Sequence, residues 1–365
     1  MAYEEAETAA QSADTAAAGN GGERGGSGAG WQQLAPILFG GLAAQTVRAA
    51  VQLGIVERFG GKERTAAELA AEAGAQPQGM TRLLRALAGL GLLREREPGT
   101  FAVTEAGAYL DPGHPESVTA LVGIFADPTM TRAWEHLADS VRTGETAFDT
   151  VYGTDFFSHL KEHPELSAQF NTAMSQATRS TADVLPQAYD FGRFTTVTDI
   201  GGGDGTLLAA VLQQNPGLTG VVYDTEEGLA QAPETLRRHG LADRCTLVAG
   251  DFFASVPEGA DAYLIKSILH DWPDDRAVAI LRHCSAALPP DGRVLIVEPV
   301  LPEVVAPDRP GFSYLSDLNM LANVSGRERT RADFDEVCRQ AGLTIVSVTP
   351  MPGPSTFCLI EAALA

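Results

Sequence analysis

Val197-Thr198-Asp199-Ile200-Gly201-Gly202-Gly203-Asp204-Gly205 is the stretch on which the fold is decided. It reads as a short buried strand, a glycine-rich turn and then an apolar helix start at Leu207, Leu208, Ala209 and Ala210. Glycines in such a turn let backbone amides approach a ligand closely at the mouth of a helix. A cofactor site is therefore the first expectation, with a tight structural turn carrying incidental acids as the alternative.

A nicotinamide dinucleotide is the obvious candidate ligand, and its fingerprint G-x-G-x-x-G needs a small third residue where helix packs on strand. Counted from Gly201 that residue is Thr206, and counted from Gly203 it is Leu208, so neither frame fits. Asp199 also places negative charge where a pyrophosphate would lie. The following strand ends in Asp224, near the ~20-residue spacing that sets a carboxylate on ribose hydroxyls. A nucleoside that is positively charged and lacks pyrophosphate suits this pattern, and S-adenosylmethionine meets the description.

The texture after Asp190 is alternating strands and helices. Strands are expected at Thr196–Ile200, Gly220–Asp224, Thr246–Ala249, Ala260–Lys266, Arg293–Glu298, Leu343–Val348 and Thr356–Glu361. Helices are expected at Leu207–Gln213, Arg276–Ala287 and Arg331–Ala341. Repeated units of this kind make an α/β fold, a doubly wound, Rossmann-like parallel sheet with ligands at the carboxyl ends of its strands. The earlier part reads differently. Residues 1–30, rich in Ala, Gly, Ser and Glu, are expected to be a disordered tail. Residues 31–115 carry a winged-helix pattern: a Thr65/Glu68 capping box, a helix from Met80 to Leu93, and a wing strand Thr100–Thr104. Residues 116–189 read as further helices, including Phe156–Lys161 and Pro164–Leu185.

A winged helix raises a rival class, a DNA-binding regulator. Arg82 and Arg85 stand on the second helix, but its other positions are Met80, Leu83, Leu84, Leu87 and Leu90, without a basic stripe. The net charge of −21 likewise argues against nucleic acid or an anionic membrane as partner. Contact with a second copy of the chain suits such a layer better. No run approaches the ~18 apolar residues of a membrane span. The four scattered cysteines, without a C-x-x-C pair, read as reduced thiols of a cytoplasmic protein.

The chemistry-bearing residues fall at strand ends. Asp251 and Phe252 follow the third strand, where an acid accepts from an adenine amino group and a ring lies against the base. Lys266 ends the fourth strand. His270 comes next, in His270-Asp271-Trp272-Pro273, and an imidazole there suits proton abstraction from a hydroxyl. By position alone it reads equally as a packed or surface histidine. Glu298 closes the fifth strand, and Glu328 lies in Gly326-Arg327-Glu328-Arg329-Thr330; a carboxylate near the imidazole would fix its tautomer. Taken alone, Glu328 reads better as an exposed loop charge among arginines. No carboxylate cluster with metal-ligand geometry is evident, so no metal is expected.

Asp199-Ile-Gly-Gly-Gly203, Gly250-Asp251-Phe252, Lys266 with His270-Asp271-Trp272, Glu298-Pro299 and Gly326-Arg-Glu-Arg-Thr330 together resemble, in order and spacing, a known family. From Trp31 onward the chain resembles small-molecule O-methyltransferases of the plant caffeic-acid and flavonoid type, and above all their bacterial relatives that tailor secondary metabolites. The resemblance implies a class I methyltransferase sheet of seven strands, the last antiparallel, over residues 190–365. It implies a winged-helix region that makes a homodimer. Asp199, Gly201, Asp224, Asp251, Phe252 and Lys266 would hold S-adenosylmethionine, His270 would be the base, and Glu298 and Glu328 would flank it. Asp271 would touch the acceptor, with Asn171, Met174, Met320, Asn323, Trp134 and Phe157 on the substrate wall. The implied activity is methylation of a hydroxyl, phenolic by this reading, on a small aromatic such as a polyketide. Relatives that lack the histidine turn the cofactor to hydroxylation or decarboxylation-linked chemistry, which stays as the alternative; the ligand-sensing regulator is the further one.

Overall fold

The computed structural model describes residues 27–305, 311–352 and 357–365, so the expected tail lies almost wholly outside the described residues. The chain divides into two units between Thr46 and Val47. The first carries helix Ser27–Leu38 and the start of helix Gly40–Gln52, with Trp31, Leu34, Ile37, Leu38 and Leu42 all exposed. Among the described residues no single helix is long and apolar enough to cross a membrane.

The second unit opens with a small sheet of β1 (Arg64–Thr65), β2 (Leu93–Glu97) and β3 (Thr100–Val103), in the order β1-β3-β2. The capping box is present, with Thr65 Oγ1 accepting from Glu68 N and Glu68 Oε2 accepting from Thr65 N. The helix expected to reach Leu93 spans Pro77–Gly89 instead. Gly91 adopts φ 78°, and the chain after it turns into β2, whose Leu93 pairs with Val103. Arg85, one of the two arginines on that helix, is paired with Glu95.

The large sheet contains β4 (Thr196–Ile200), β5 (Thr219–Asp224), β6 (Cys245–Ala249), β7 (Ala262–Lys266), β8 (Arg293–Leu301), β9 (Arg329–Thr330), β10 (Leu343–Pro350) and β11 (Phe357–Leu364). Its order is β10-β11-β8-β7-β4-β5-β6, with β9 paired to β8 off that path. β4 to β8 run parallel, and β11 is antiparallel to both β8 and β10, so the last strand is reversed as expected. Central strands buried on two faces read as continuous apolar runs. In β8, Leu295 and Val297 join the core on one face while Val294 and Ile296 join the core on the other, following the two-residue alternation of a strand. Close packing of helix Thr206–Gln214 onto β5 depends on Gly220, where a Cβ would come 2.8 Å from Leu208 Cδ2.

β4 is flanked by β5 on one side and β7 on the other, so the connections leaving it and arriving beside it run in opposite directions. That is the switch point where a doubly wound sheet opens a crevice at the strands' carboxyl ends. The glycine turn stands there.

Candidate active site

Gly201, Gly203 and Gly205 all have positive φ, at 67°, 55° and 77°. Gly201 is constrained twice: a Cβ there would overlap Ile268 Cδ1 and lie 2.8 Å from Ile268 Cγ1. At the end of β5 the Asp224 carboxylate accepts from Gly203 N at 2.9 Å and from Thr225 N at 2.7 Å. The turn and the candidate ribose acid therefore hold one another. Asp199 is 2% exposed beneath the turn. Burial pushes its carboxyl up to about 8, the neighbouring Asp224 adds to this, and Lys266 opposes it. Lys266 is itself lowered by burial, against the pull of Glu298, Asp199 and Asp271, and its ammonium donates to Ser267 Oγ at 3.0 Å. Asp251 is exposed and accepts from Phe253 N, while the Phe252 ring packs edge-on against Phe253 and Trp272.

These residues border a cavity of about 670 Å³. Gly201, Asp224, Asp251, Phe252, Lys266 and Asp271 line it from the sheet side. Phe157, Asn171 and Met174 line it from helices Phe156–Glu162 and Pro164–Ala188. Phe157 stacks on Trp272 with centroids 5.2 Å apart. Asn171 spends its side-chain amide on the Glu227 carbonyl at 3.0 Å, which ties the long helix to the loop after β5.

His270 sits in a single 3₁₀ turn, Leu269–Asp271. Its Nδ1 is 3.1 Å from Glu328 Oε1 and 3.5 Å from Glu298 Oε2, and its Nε2 is 3.6 Å from Asp271 Oδ1. Glu298 Oε1 accepts from the amides of Ile268 and Leu269, both at 2.9 Å, so this buried acid also shapes the turn. Glu328 Oε1 accepts a further hydrogen bond from Ser316 Oγ at 2.8 Å, and Glu328 N donates to Asp317 Oδ1. Burial lowers the His270 pKa, but Glu298, Asp271 and Glu328 outweigh it and raise the group to about 10. Asp271 is pushed up to about 7 by burial, with His270 opposing.

Two expectations need correction. Glu328 is 3% exposed and not a surface loop charge, because helix Phe312–Asn323 covers it. A cluster of ligand type does exist among the described residues: one ligand atom each of His270, Glu298 and Glu328 lie within 4.8 Å of one another. Sequence separation concealed it, since His270 and Glu328 stand 58 positions apart.

Several residues that hold this turn were not singled out from the sequence. Gly326 is pressed against the His270 turn, where a Cβ would overlap the His270 carbonyl oxygen and lie 2.6 Å from Trp272 N. Arg329, 1% exposed, donates to Leu269 O at 2.7 Å, Trp272 O at 2.9 Å and Asp274 Oδ1 at 2.8 Å. The signal was a loop with glycine and arginine next to the acid, but nothing local says where they point. Trp134, Met320 and Asn323 gather elsewhere. Trp134 Nε1 and Asn323 Nδ2 both donate to Asn319 Oδ1, at 3.1 and 3.0 Å, and Met320 and Asn323 are buried rather than on the cavity wall. Asn319, one helical turn before Asn323, went unnoticed.

Comparison with known proteins gives two family matches, an O-methyltransferase domain over residues 134–344 and an O-methyltransferase dimerisation domain over residues 36–111. An O-demethylpuromycin-O-methyltransferase of Streptomyces alboniger is 45% identical over 91% of this chain and 89% of its own length. The structure of a mitomycin 7-O-methyltransferase superposes with TM-score 0.85 at 37% identity, covering 92% of this chain and 98% of that one. A neocarzinostatin-biosynthesis O-methyltransferase, crystallised with S-adenosylmethionine and 2-hydroxy-5-methyl naphthoic acid, superposes with TM-score 0.74 at 34% identity, covering 88% and 96%.

Proposed function

The chain belongs to the O-methyltransferase family, and on that premise we propose that it methylates a hydroxyl of a small aromatic secondary metabolite, with His270 as general base. The observation that carries this is the imidazole held between two buried glutamates on Nδ1, with Nε2 left beside Asp271 at the cavity wall.

S-adenosylmethionine fits the crevice. A glycine turn that would not admit a Cβ at Gly201, Asp224 fixed against that turn, and Asp199 beneath it suit a cationic nucleoside. Asp251 and Phe252 would take the adenine, and Lys266 would hold polar groups at the far end. When bound, this cofactor supplies an electrophilic methyl group. The chain's own residues do the rest.

Phe157, Met174 and Trp272 present apolar surface that orients a planar acceptor and excludes water. Positioning of reactants contributes most of such an acceleration. In its neutral form, with Nδ1–H donating to Glu328, the imidazole would present Nε2 to the hydroxyl proton, the tautomer logic of a His–carboxylate pair. The three carboxylates stabilise the imidazolium that forms. Facing a cationic cofactor, the His270 imidazole would lie nearer to neutrality in the assembled complex. Asp271, whose carboxyl burial pushes up to about 7, would hydrogen-bond the acceptor.

The reading extends to organisation. A dimerisation module spans residues 31–115, a helical substrate wall 116–189 and the catalytic sheet 190–365. The exposed apolar residues Trp31, Leu34, Ile37 and Leu42 would meet a second copy. The thiols of Cys245, Cys284 and Cys338 are free and buried, as suits the cytoplasm.

The test is His270→Ala. Turnover of a phenolic acceptor should fall ~10²–10⁴-fold, the usual contribution of a general base, with S-adenosylmethionine affinity unchanged by calorimetry. Equal turnover in the variant would remove His270 from the mechanism.

A further inference from the structure

The charge lining the cavity says more about the acceptor than its shape does. Six acids face the cavity: Asp204, Asp224, Glu226, Glu227, Asp251 and Asp271. Lys161 and Lys266 are the basic residues on the same wall among the described residues. Lys266 already answers to Glu298, Asp199 and Asp271. Lys161 is exposed, at the mouth. Neighbouring arginines are committed elsewhere: Arg327 to Asp274 and Asp333, Arg329 to Asp274 and two carbonyls, and Arg276 to the face of Phe253. A bound carboxylate or phosphate normally meets a guanidinium fork or a helix N-terminus. The acceptor side, walled by Phe157, Met174 and Trp272, offers no guanidinium fork.

We propose that this site selects aromatic acceptors that are neutral or carry an amine, and rejects those bearing a carboxylate or phosphate. The inference rests on the methyl-transfer function above and deepens it by assigning the acceptor's charge class. A cofactor with one net positive charge offsets only part of the lining. Charges inside a low-dielectric cleft focus the field on whatever enters. An anionic acceptor therefore meets repulsion on approach and finds Lys161 as the exposed counter-charge of the wall, whereas an ammonium group finds Glu226 and Glu227 near the mouth. Like-charge juxtaposition of this kind suppresses wrong ligands more than it strengthens right ones.

The test uses the full-length enzyme, labelled S-adenosylmethionine and three para-substituted phenols of matched size: 4-ethylphenol, tyramine and 3-(4-hydroxyphenyl)propionate. We expect kcat/KM for the neutral and amine acceptors to exceed that for the carboxylate by roughly tenfold or more. The gap should shrink at high salt, because mouth charges lie within reach of screening at a Debye length of about 8–10 Å. Ser158→Arg adds a cation at the cavity wall and should narrow the gap several-fold; Lys161→Glu should widen it. A carboxylate acceptor methylated as well as its neutral analogue at low salt overturns the proposal, as does a ratio that neither variant moves. No methyl on any of the three, with cofactor bound, overturns the methyl-transfer function and this inference together.

Discussion

Replacing Gly201 by alanine puts two separable costs on the cofactor turn. The first is conformational: φ is 67° at this residue, and a side chain in the left-handed region costs about 1–2 kcal/mol. The second is steric: the new Cβ would overlap Ile268 Cδ1 and sit 2.8 Å from Cγ1, and overpacking of that sort costs about 1–3 kcal/mol. A free enzyme relaxes by shifting the turn, but the shifted turn no longer presents Gly203 N and Asp224 as a pair, so the cost reappears on binding. S-adenosylmethionine affinity should fall by about 2–5 kcal/mol, roughly thirty-fold to several thousand-fold at 1.4 kcal/mol per tenfold. Ile268→Ala in the Gly201→Ala background removes the overlapping atoms and leaves the φ cost. A double-mutant cycle by calorimetry should therefore return a favourable coupling of about 1–3 kcal/mol. Affinity within two-fold of the parent in Gly201→Ala, or a coupling of zero, would refute the account of why glycine stands there.

Three further outcomes follow from the site. Asp199 ionises near pH 8 in the free protein, and a cation binds its anionic form better. Affinity for S-adenosylmethionine should rise with pH from about 7 to 9, that for the uncharged sulfide product should rise less, and Asp199→Asn should flatten the difference; equal pH slopes for the two ligands count against it. Glu328→Gln removes one of the charges that raise His270. The acidic limb of the kcat–pH profile should then move to lower pH while the plateau falls, and an unshifted limb would mean Glu328 does not act through the imidazole. Arg329→Met leaves the Leu269 and Trp272 carbonyls and Asp274 without their buried donor. Each carbonyl left buried without a donor costs about 1–3 kcal/mol, which denaturant unfolding would register as a lowered midpoint.

Much of this was legible in one dimension because the physics involved is local. The turn after β4 announces itself through glycines that must take positive φ, and the strands of the sheet through continuous apolar runs. The capping box at Thr65 needs only residues three apart. Element centres came out well and edges less so, as at Met80–Leu93, where helical spacing continues past the point at which Gly91 turns the chain.

What one dimension could not supply is proximity between distant positions and the protonation it enforces. His270, Glu298, Ser316 and Glu328 come together only when β7, β8 and helix Phe312–Asn323 converge. Asp199, which composition presents as an ordinary acid, is turned into one that holds its proton near neutrality by being sealed under the turn beside Asp224. The sequence by itself determined the sheet and the cofactor class, because each rests on spacing along the chain. The tertiary structure alone decided which acids meet the His270 imidazole, which loop acid is buried and which wall residues meet the cavity. Those depend on desolvation and on charges brought within a few ångströms, and neither exists until the chain is folded.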